Sequence, residues 1–230
     1  MAGQERASAP LLSHAGWVRV APFLVYLGFL LLAEVLGRAG MAAESLRWLY
    51  PVKTVAVLAT LALFWRHYTE LHWPRPSAAW AACSVAVGLL VFFLWINLTA
   101  SWMLIGTPGG YDPRSNGQLE ALLVVVRIAG AALVVPVMEE LFWRSFLLRW
   151  LDQLDFQAVE PARISLRSVA IAAVLFGFEH NLWLAGIVAG LAYSWLYMRS
   201  RSLWTAVIAH AVTNGVLGIW VVMTSNWSFW

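Results

Sequence analysis

The chain has 230 residues, of which 61% are hydrophobic and 12% charged, with a net charge of +3 and a mean hydropathy of +0.72. Soluble domains run at about 45–50% apolar and about 25% charged, so a soluble globule, a disordered chain and a nucleic-acid-binding domain are excluded. The single cysteine, Cys83, rules out an internal disulfide and every thiolate metal cage, and the pI of about 9.4 reflects basic residues of the kind that membrane proteins place in loops for orientation.

At about 20 apolar residues per span there is room for seven or eight transmembrane helices. Apolar segments run over 20–37, 51–66, 78–100, 119–137 continuing into 141–151, 168–182, 183–198 and 203–223. They are continuously apolar and do not alternate in steps of two, which predicts an all-α, polytopic transmembrane helix bundle and not a β-barrel. Nothing separates a second domain, so residues 1–230 form a single integral membrane domain. The first segment follows Arg19 and resembles a secretory signal, but its long apolar run and weak cleavage site make it an anchor. The fourth, Leu119 to Trp150, would span about 48 Å as one helix. Pro136 within it predicts either a kink or a break into two pieces. The stretch from Ser168 to Met198 is shorter than the about 40 residues that two full spans need. It is expected to form short helices or a hairpin that stops short of crossing, with His180 held inside the protein at membrane depth.

Loop charge gives an orientation. Arg6, Arg19, Arg66, Arg75, Arg149, Arg163, Arg167, Arg199 and Arg201 fall on alternate loops, against Arg38, Arg47, Lys53 and Arg114 on the others. The positive-inside rule then puts the N-terminus in the cytoplasm and the C-terminus outside. Counted from the basic loops, Glu139 lies about 15 Å and His210 about 13 Å deep. A cavity open to the cytoplasm is therefore expected.

Ionisable residues inside apolar spans cost about 2.5–3.5 kcal/mol on insertion scales, so they usually face the protein interior and have a function. They are few in this chain: Arg127, Glu139, Glu140, Arg144, Glu179, His180 and His210, with Asn97, Asn181 and Asn214 as uncharged companions. Glu139 and Glu140 stand beside Arg144; Glu179 and His180 follow Phe176 and precede Asn181; His210 is followed by Asn214. At about 100° per residue, Glu140 and Arg144 share a helix face, the spacing of an ion pair. Glu139 points elsewhere and is left over. An unpaired carboxylate in an apolar site is a candidate general base; it can equally be a hydrated residue at the interface. His180 and Phe176 share a face, as do His210 and Asn214; packing and interhelical hydrogen bonding are the plain readings of both pairs. If the three segments converge, they supply a carboxylate base, an imidazole that shares a water, and donors for a developing oxyanion. Those are the parts for hydrolysing an acyl bond.

Glu-Glu-x-x-x-Arg at 139–144, Phe-x-x-x-His at 176–180 and His-x-x-x-Asn at 210–214, in that order, resemble the CAAX prenyl protease and bacteriocin-processing family of intramembrane proteases. The resemblance covers residues 119–220, the catalytic core; residues 1–118 form N-terminal helices without a family motif. The run from Pro136 to Trp150 also looks like a bacterial branch found alongside exosortase protein-sorting systems. The resemblance implies a metal-independent, cofactor-free glutamate peptidase of about eight helices in a bacterial inner membrane. Its partners would be the lipid bilayer and a membrane-associated protein or peptide substrate, with a link to an exosortase system and no nucleic acid. It implies that Glu139 and His180 activate water and that His210 and Asn214 stabilise the oxyanion. Glu140, Arg144 and Phe176 would support them. Three rivals stand beside it: a zinc peptidase ligated by Glu139, His180 and His210; a non-catalytic scaffold or immunity protein of the same fold; and a transporter, against which the absence of paired half-chain symmetry counts.

Overall fold

A computed structural model describes residues 12–230 apart from 73, 108 and 116. The long helices are α1 (His14–Arg38), α2 (Leu49–Phe64, extended by a 3-10 turn to His67), α3 (Ala78–Asn97) and α4 (Ala121–Trp150). They are followed by α5 (Leu166–Phe178), α6 (Trp183–Ser200) and α7 (Leu203–Thr224). The expected all-α bundle is observed, and strand is confined, among the described residues, to the two-residue pairing of Arg114–Ser115 with Gln118–Leu119. Each of the seven apolar segments forms a helix. Five of these helices, among the described residues, are long and apolar enough to cross a membrane: α1, the 43–67 stretch that contains α2, α3, α4 and α7.

Local chemistry explains the ends. Ser13, Ser77 and Ser165 stand at the N-caps of α1, α3 and α5, and each side-chain oxygen accepts from the backbone N–H three residues on. Helix α4 does not break at Pro136. The proline ring would strike the carbonyl of Ala132 in a regular α-helix. The chain instead widens into a π-helical turn over Gly130–Val134 and carries on, and a second π-helical stretch, Leu141–Leu147, follows Glu140. Of the two alternatives for this segment, the single continuous helix is the one adopted.

Helices α5 and α6 form the expected short hairpin, about 20 and 27 Å long by helical rise, against about 30 Å of hydrocarbon. They touch backbone to backbone. A Cβ on Gly177 would lie 2.4 Å from Ile187 Cγ1 and 2.7 Å from the Trp183 carbonyl oxygen, which is the small-residue packing that lets membrane helices approach closely. Helix α7 is the most enclosed of the five long helices and packs against α3, α4 and α6. Thr213 Oγ1 donates to the Gly88 carbonyl of α3 at 2.8 Å and accepts from Tyr193 Oη of α6 at 2.7 Å.

The bundle has two chemically distinct ends. At one, Arg19 Nε donates to Glu70 Oε1 at 2.6 Å and Ser145 Oγ donates to the same carboxylate; Arg149 Nη2 bonds Ser145 Oγ at 3.0 Å. Asp152 accepts from Ser165 and Ser168, and Ser202 Oγ donates to the Pro74 carbonyl. The strongly basic loops therefore gather at one end; Arg6 lies outside the described residues. At the other end Tyr111 N–H bonds the Trp227 carbonyl, and Ile105 and Asn181 exchange hydrogen bonds that tie the α5–α6 turn to the loop after α3.

Burial alone would raise the Glu70 carboxyl, but the Arg19 guanidinium and the Ser145 hydroxyl outweigh it and hold the group below the ordinary carboxylate range. A lowered folded-state pKa means this stabilisation is present at neutral pH and is lost as the pH falls through the folded value. Glu70→Gln leaves the fully buried Arg19 without its anion, so the expected cost is about 3–5 kcal/mol. A lower melting temperature of the purified variant checks it.

Candidate active site

Glu139 and Glu140 lie between the two π-helical stretches of α4 and are both buried. Their oxygens face different partners, as the helical geometry predicts. Glu140 Oε1 pairs with Arg144 Nη1 at 3.1 Å, while Glu139 Oε2 has no hydrogen bond. The Arg144 guanidinium lies 4.3 Å from the Phe176 ring centre and 5.3 Å from that of Tyr193, so aromatic faces satisfy what one carboxylate leaves over.

His210, on α7, meets both glutamates. Its Nδ1 is 2.9 Å from Glu140 Oε1 and its Nε2 is 3.9 Å from Glu139 Oε2; Tyr193 stacks on the ring at 5.1 Å. An ionised carboxylate only accepts, so Nδ1–H donates to Glu140 and Nε2 is presented to Glu139. His180 sits where α5 ends. Its Nδ1 is 2.8 Å from the Phe176 carbonyl oxygen. A carbonyl only accepts, so Nδ1 carries a proton and, in the neutral ring, Nε2 keeps its lone pair. Phe176 packs against His180 at 4.9 Å and against Trp143 at 5.6 Å, holding the second motif on the first. Asn214 Nδ2 donates to the Ala131 carbonyl in the first π-helical turn at 2.9 Å, and its second N–H remains for another acceptor.

Glu139, Phe176, His180, His210 and Asn214 line one cavity of about 160 Å³. Glu140 and Arg144 stand behind it and are not in its wall. Among the described residues no three His, Cys, Asp or Glu side chains form a group that could hold a metal ion. Several cavity residues come from helices that carry no motif: Tyr26 of α1, Tyr50 of α2 and Trp95 of α3. Trp95 meets the His180 ring edge-on at 5.2 Å. Their sequence signal is weak, being three aromatic residues in a chain with fifteen Trp and six Tyr. Glu179, whose carboxylate accepts from Trp143 Nε1 at 3.1 Å, lies just outside this cavity and lines an adjoining one.

The expected opening is at the wrong end. Arg127, Tyr50, Phe229 and Trp230 line the cavity at the end away from the strongly basic loops, its mouth end, and none of its lining residues comes from those loops. The physical reason is packing. Below Glu139, on the basic side, Phe23 stacks on Phe142, Trp143 and Phe146 pack edge-on or tilted against Phe142, and the Arg19–Glu70–Ser145 cluster lies beyond them. On the opposite side the small residues Ala131 and Ala189 and the α5–α6 turn leave space.

The fold and this site define a polytopic membrane protein with a buried glutamate–histidine cavity at the junction of three helical motifs. Residues 121–216 match the family described as type II CAAX prenyl endopeptidase Rce1-like, and all three motifs fall inside the match. The chain thus carries, over residues 121–216, a domain of the CAAX protease family that its motifs resemble. No curated protein and no solved structure matches it.

Proposed function

We propose that the protein is an intramembrane endopeptidase that hydrolyses a peptide bond of a membrane-associated protein or peptide with a water activated by Glu139 and His180. A domain of a membrane-embedded peptidase family supports peptidase activity in general. The observation that carries the finer reading is the single small cavity onto which Glu139, His180, His210 and Asn214 converge. Glu139 has a carboxylate oxygen committed to no donor, and His180 Nε2 is an acceptor; between them they orient a water and take its proton as its oxygen bonds to the substrate carbon. The oxyanion that forms meets the free N–H of Asn214 and His210 Nε2. For Nε2 to donate, His210 must hold both ring protons. The proton on Glu139 then passes to the leaving amine as the C–N bond breaks, and the carboxylate is restored.

In the same reading the enzyme sits in a bacterial inner membrane beside an exosortase sorting system and uses no metal. Substrate is found by comparing membrane proteomes of cells carrying the active protein and Glu139→Ala. A membrane protein shortened only in the first supports the reading, and identical sets of chain ends argue for a non-catalytic scaffold.

The positive-inside rule places the strongly basic end in the cytoplasm, so the cavity mouth opens outside it. Cysteines at the exposed positions Glu44 and Ser228, beside the mouth, and Gln153, at the basic end, test this in a Cys83→Ser background. A membrane-impermeant thiol reagent is expected to label Glu44→Cys and Ser228→Cys on sealed cells, and Gln153→Cys only after permeabilisation. The opposite pattern would return the mouth to the cytoplasm.

A further inference from the structure

Three cavities of about 160, 440 and 880 Å³ meet at the mouth end, and Arg127 and Trp230 are the two residues that line all of them. The largest is walled by α1, α2 and the 109–114 loop and also contains Lys53. Lys53 is 5% exposed. Its ammonium lies 3.8 Å from the ring centre of Tyr26 and 4.9 Å from that of Tyr50, and the Arg127 guanidinium lies 4.3 Å from the same Tyr50 ring. Two cations thus flank one tyrosine.

Neither is paired. Among the described residues no carboxylate stands within ion-pair distance of Lys53 or Arg127, and Arg127 Nε is buried without a hydrogen-bond partner. The two most deeply buried cations differ, since Arg19 has Glu70 and Arg144 has Glu140; Arg149, 8% exposed, has no carboxylate partner but is held by the Ser145 carbonyl and hydroxyl. The rim of the large cavity differs too, since Arg47 is matched by Glu44 and Arg114 by Asp112. Aromatic faces offset part of the cost of a desolvated cation, yet they neutralise no charge. Two apolar helices that hold unpaired cations on either side of one tyrosine, inside a cavity, are built to receive an anion. The geometry points to a carboxylate-binding site formed by Arg127 and Lys53, which holds an anionic group of the substrate while its peptide bond reaches Glu139.

The identity of the ligand as a peptide rests on the peptidase reading; the cation pair does not. Arg127 is three turns before Glu139 on α4, about 18 Å by helical rise. An extended chain covers about 3.3 Å per residue, so a carboxylate held here lies within about six residues of the bond cut. That carboxylate is either the chain terminus or a Glu or Asp side chain. Arg127 supplies a planar fork suited to two carboxylate oxygens, and Lys53 a second positive charge.

The test uses the full chain with Glu139→Gln in phosphatidylcholine nanodiscs, so that binding is read without turnover. The probes are N-acetyl-Leu-Leu-Leu with a free carboxylate, its C-terminal amide, and N-acetyl-Leu-Glu-Leu-amide, titrated by tryptophan fluorescence. At least one carboxylate peptide is expected to bind ten-fold or more tightly than the uncharged amide; which one does so tells terminus from side chain. Arg127→Gln or Lys53→Met should erase the difference, while Arg38→Gln, an exposed charge outside all three cavities, should keep it. Equal affinity for all three peptides on the otherwise unaltered protein overturns the proposal, as does binding of dihexanoyl phosphatidate alone. Discrimination without hydrolysis of the bound peptides by the Glu139-containing chain would count against the peptidase and not the site. Hydrolysis without discrimination would count against the site and not the peptidase.

Discussion

Glu139→Gln is expected to slow peptide hydrolysis by about 10²–10⁴-fold, the range for loss of a positioned general base, while folded yield and melting temperature stay close to those of the parent. The two halves of this expectation have one cause. Glu139 Oε2 makes no hydrogen bond, and the imidazole nitrogen facing it, His210 Nε2, is 3.9 Å away. An amide of the same shape therefore unpairs nothing, yet it cannot accept the water's proton. Turnover and thermal unfolding measured on one preparation decide the matter. Unchanged turnover would remove Glu139 from the chemistry, and a collapse in melting temperature would show that its carboxylate is a structural partner after all.

The chemistry-bearing residues were legible because a membrane chain leaves so few polar side chains in its spans. With Glu139, Glu140, Arg144, His180, His210 and Asn214 among the few polar candidates inside the apolar spans, the cost of leaving each unpaired predicts that they meet. The Glu140–Arg144 pair follows from helical spacing alone, and the α5–α6 hairpin follows from a stretch too short for two spans. Other features depend on how helices distant in sequence pack. The Glu140–His210 bond joins α4 to α7 and has no periodic signature. The side on which the cavity opens is decided by bulk: aromatic rings of α1 and α4 fill one side of Glu139 while alanines leave the other free. Counting residues from a basic loop measures depth along a helix and carries no information about which side is packed shut. Pro136 shows the same limit from within one helix, since a π-helical turn absorbs the ring without the break that proline usually signals.

Glu140→Gln should damage both folding and catalysis, and the two can be pulled apart. The ion pair with Arg144 at 3.1 Å and the hydrogen bond with His210 at 2.9 Å end on the same oxygen, Glu140 Oε1. Losing the charge leaves Arg144, 2% exposed, with aromatic faces and no anion, a defect of about 3–5 kcal/mol for buried pairs. It also removes the acceptor that draws a proton onto His210 Nδ1 and lets Nε2 donate to the oxyanion. Loss of one such donor costs about 10²–10³-fold in turnover. A double variant, Glu140→Gln with Arg144→Gln, removes the stranded cation and is expected to regain part of the lost melting temperature, as coupled neighbours do. Turnover per folded molecule should stay low in it, because His210 still lacks its carboxylate. Recovery of both quantities together would mean that Glu140 serves only to neutralise Arg144, and that His210 is oriented by Tyr193 and the surrounding packing.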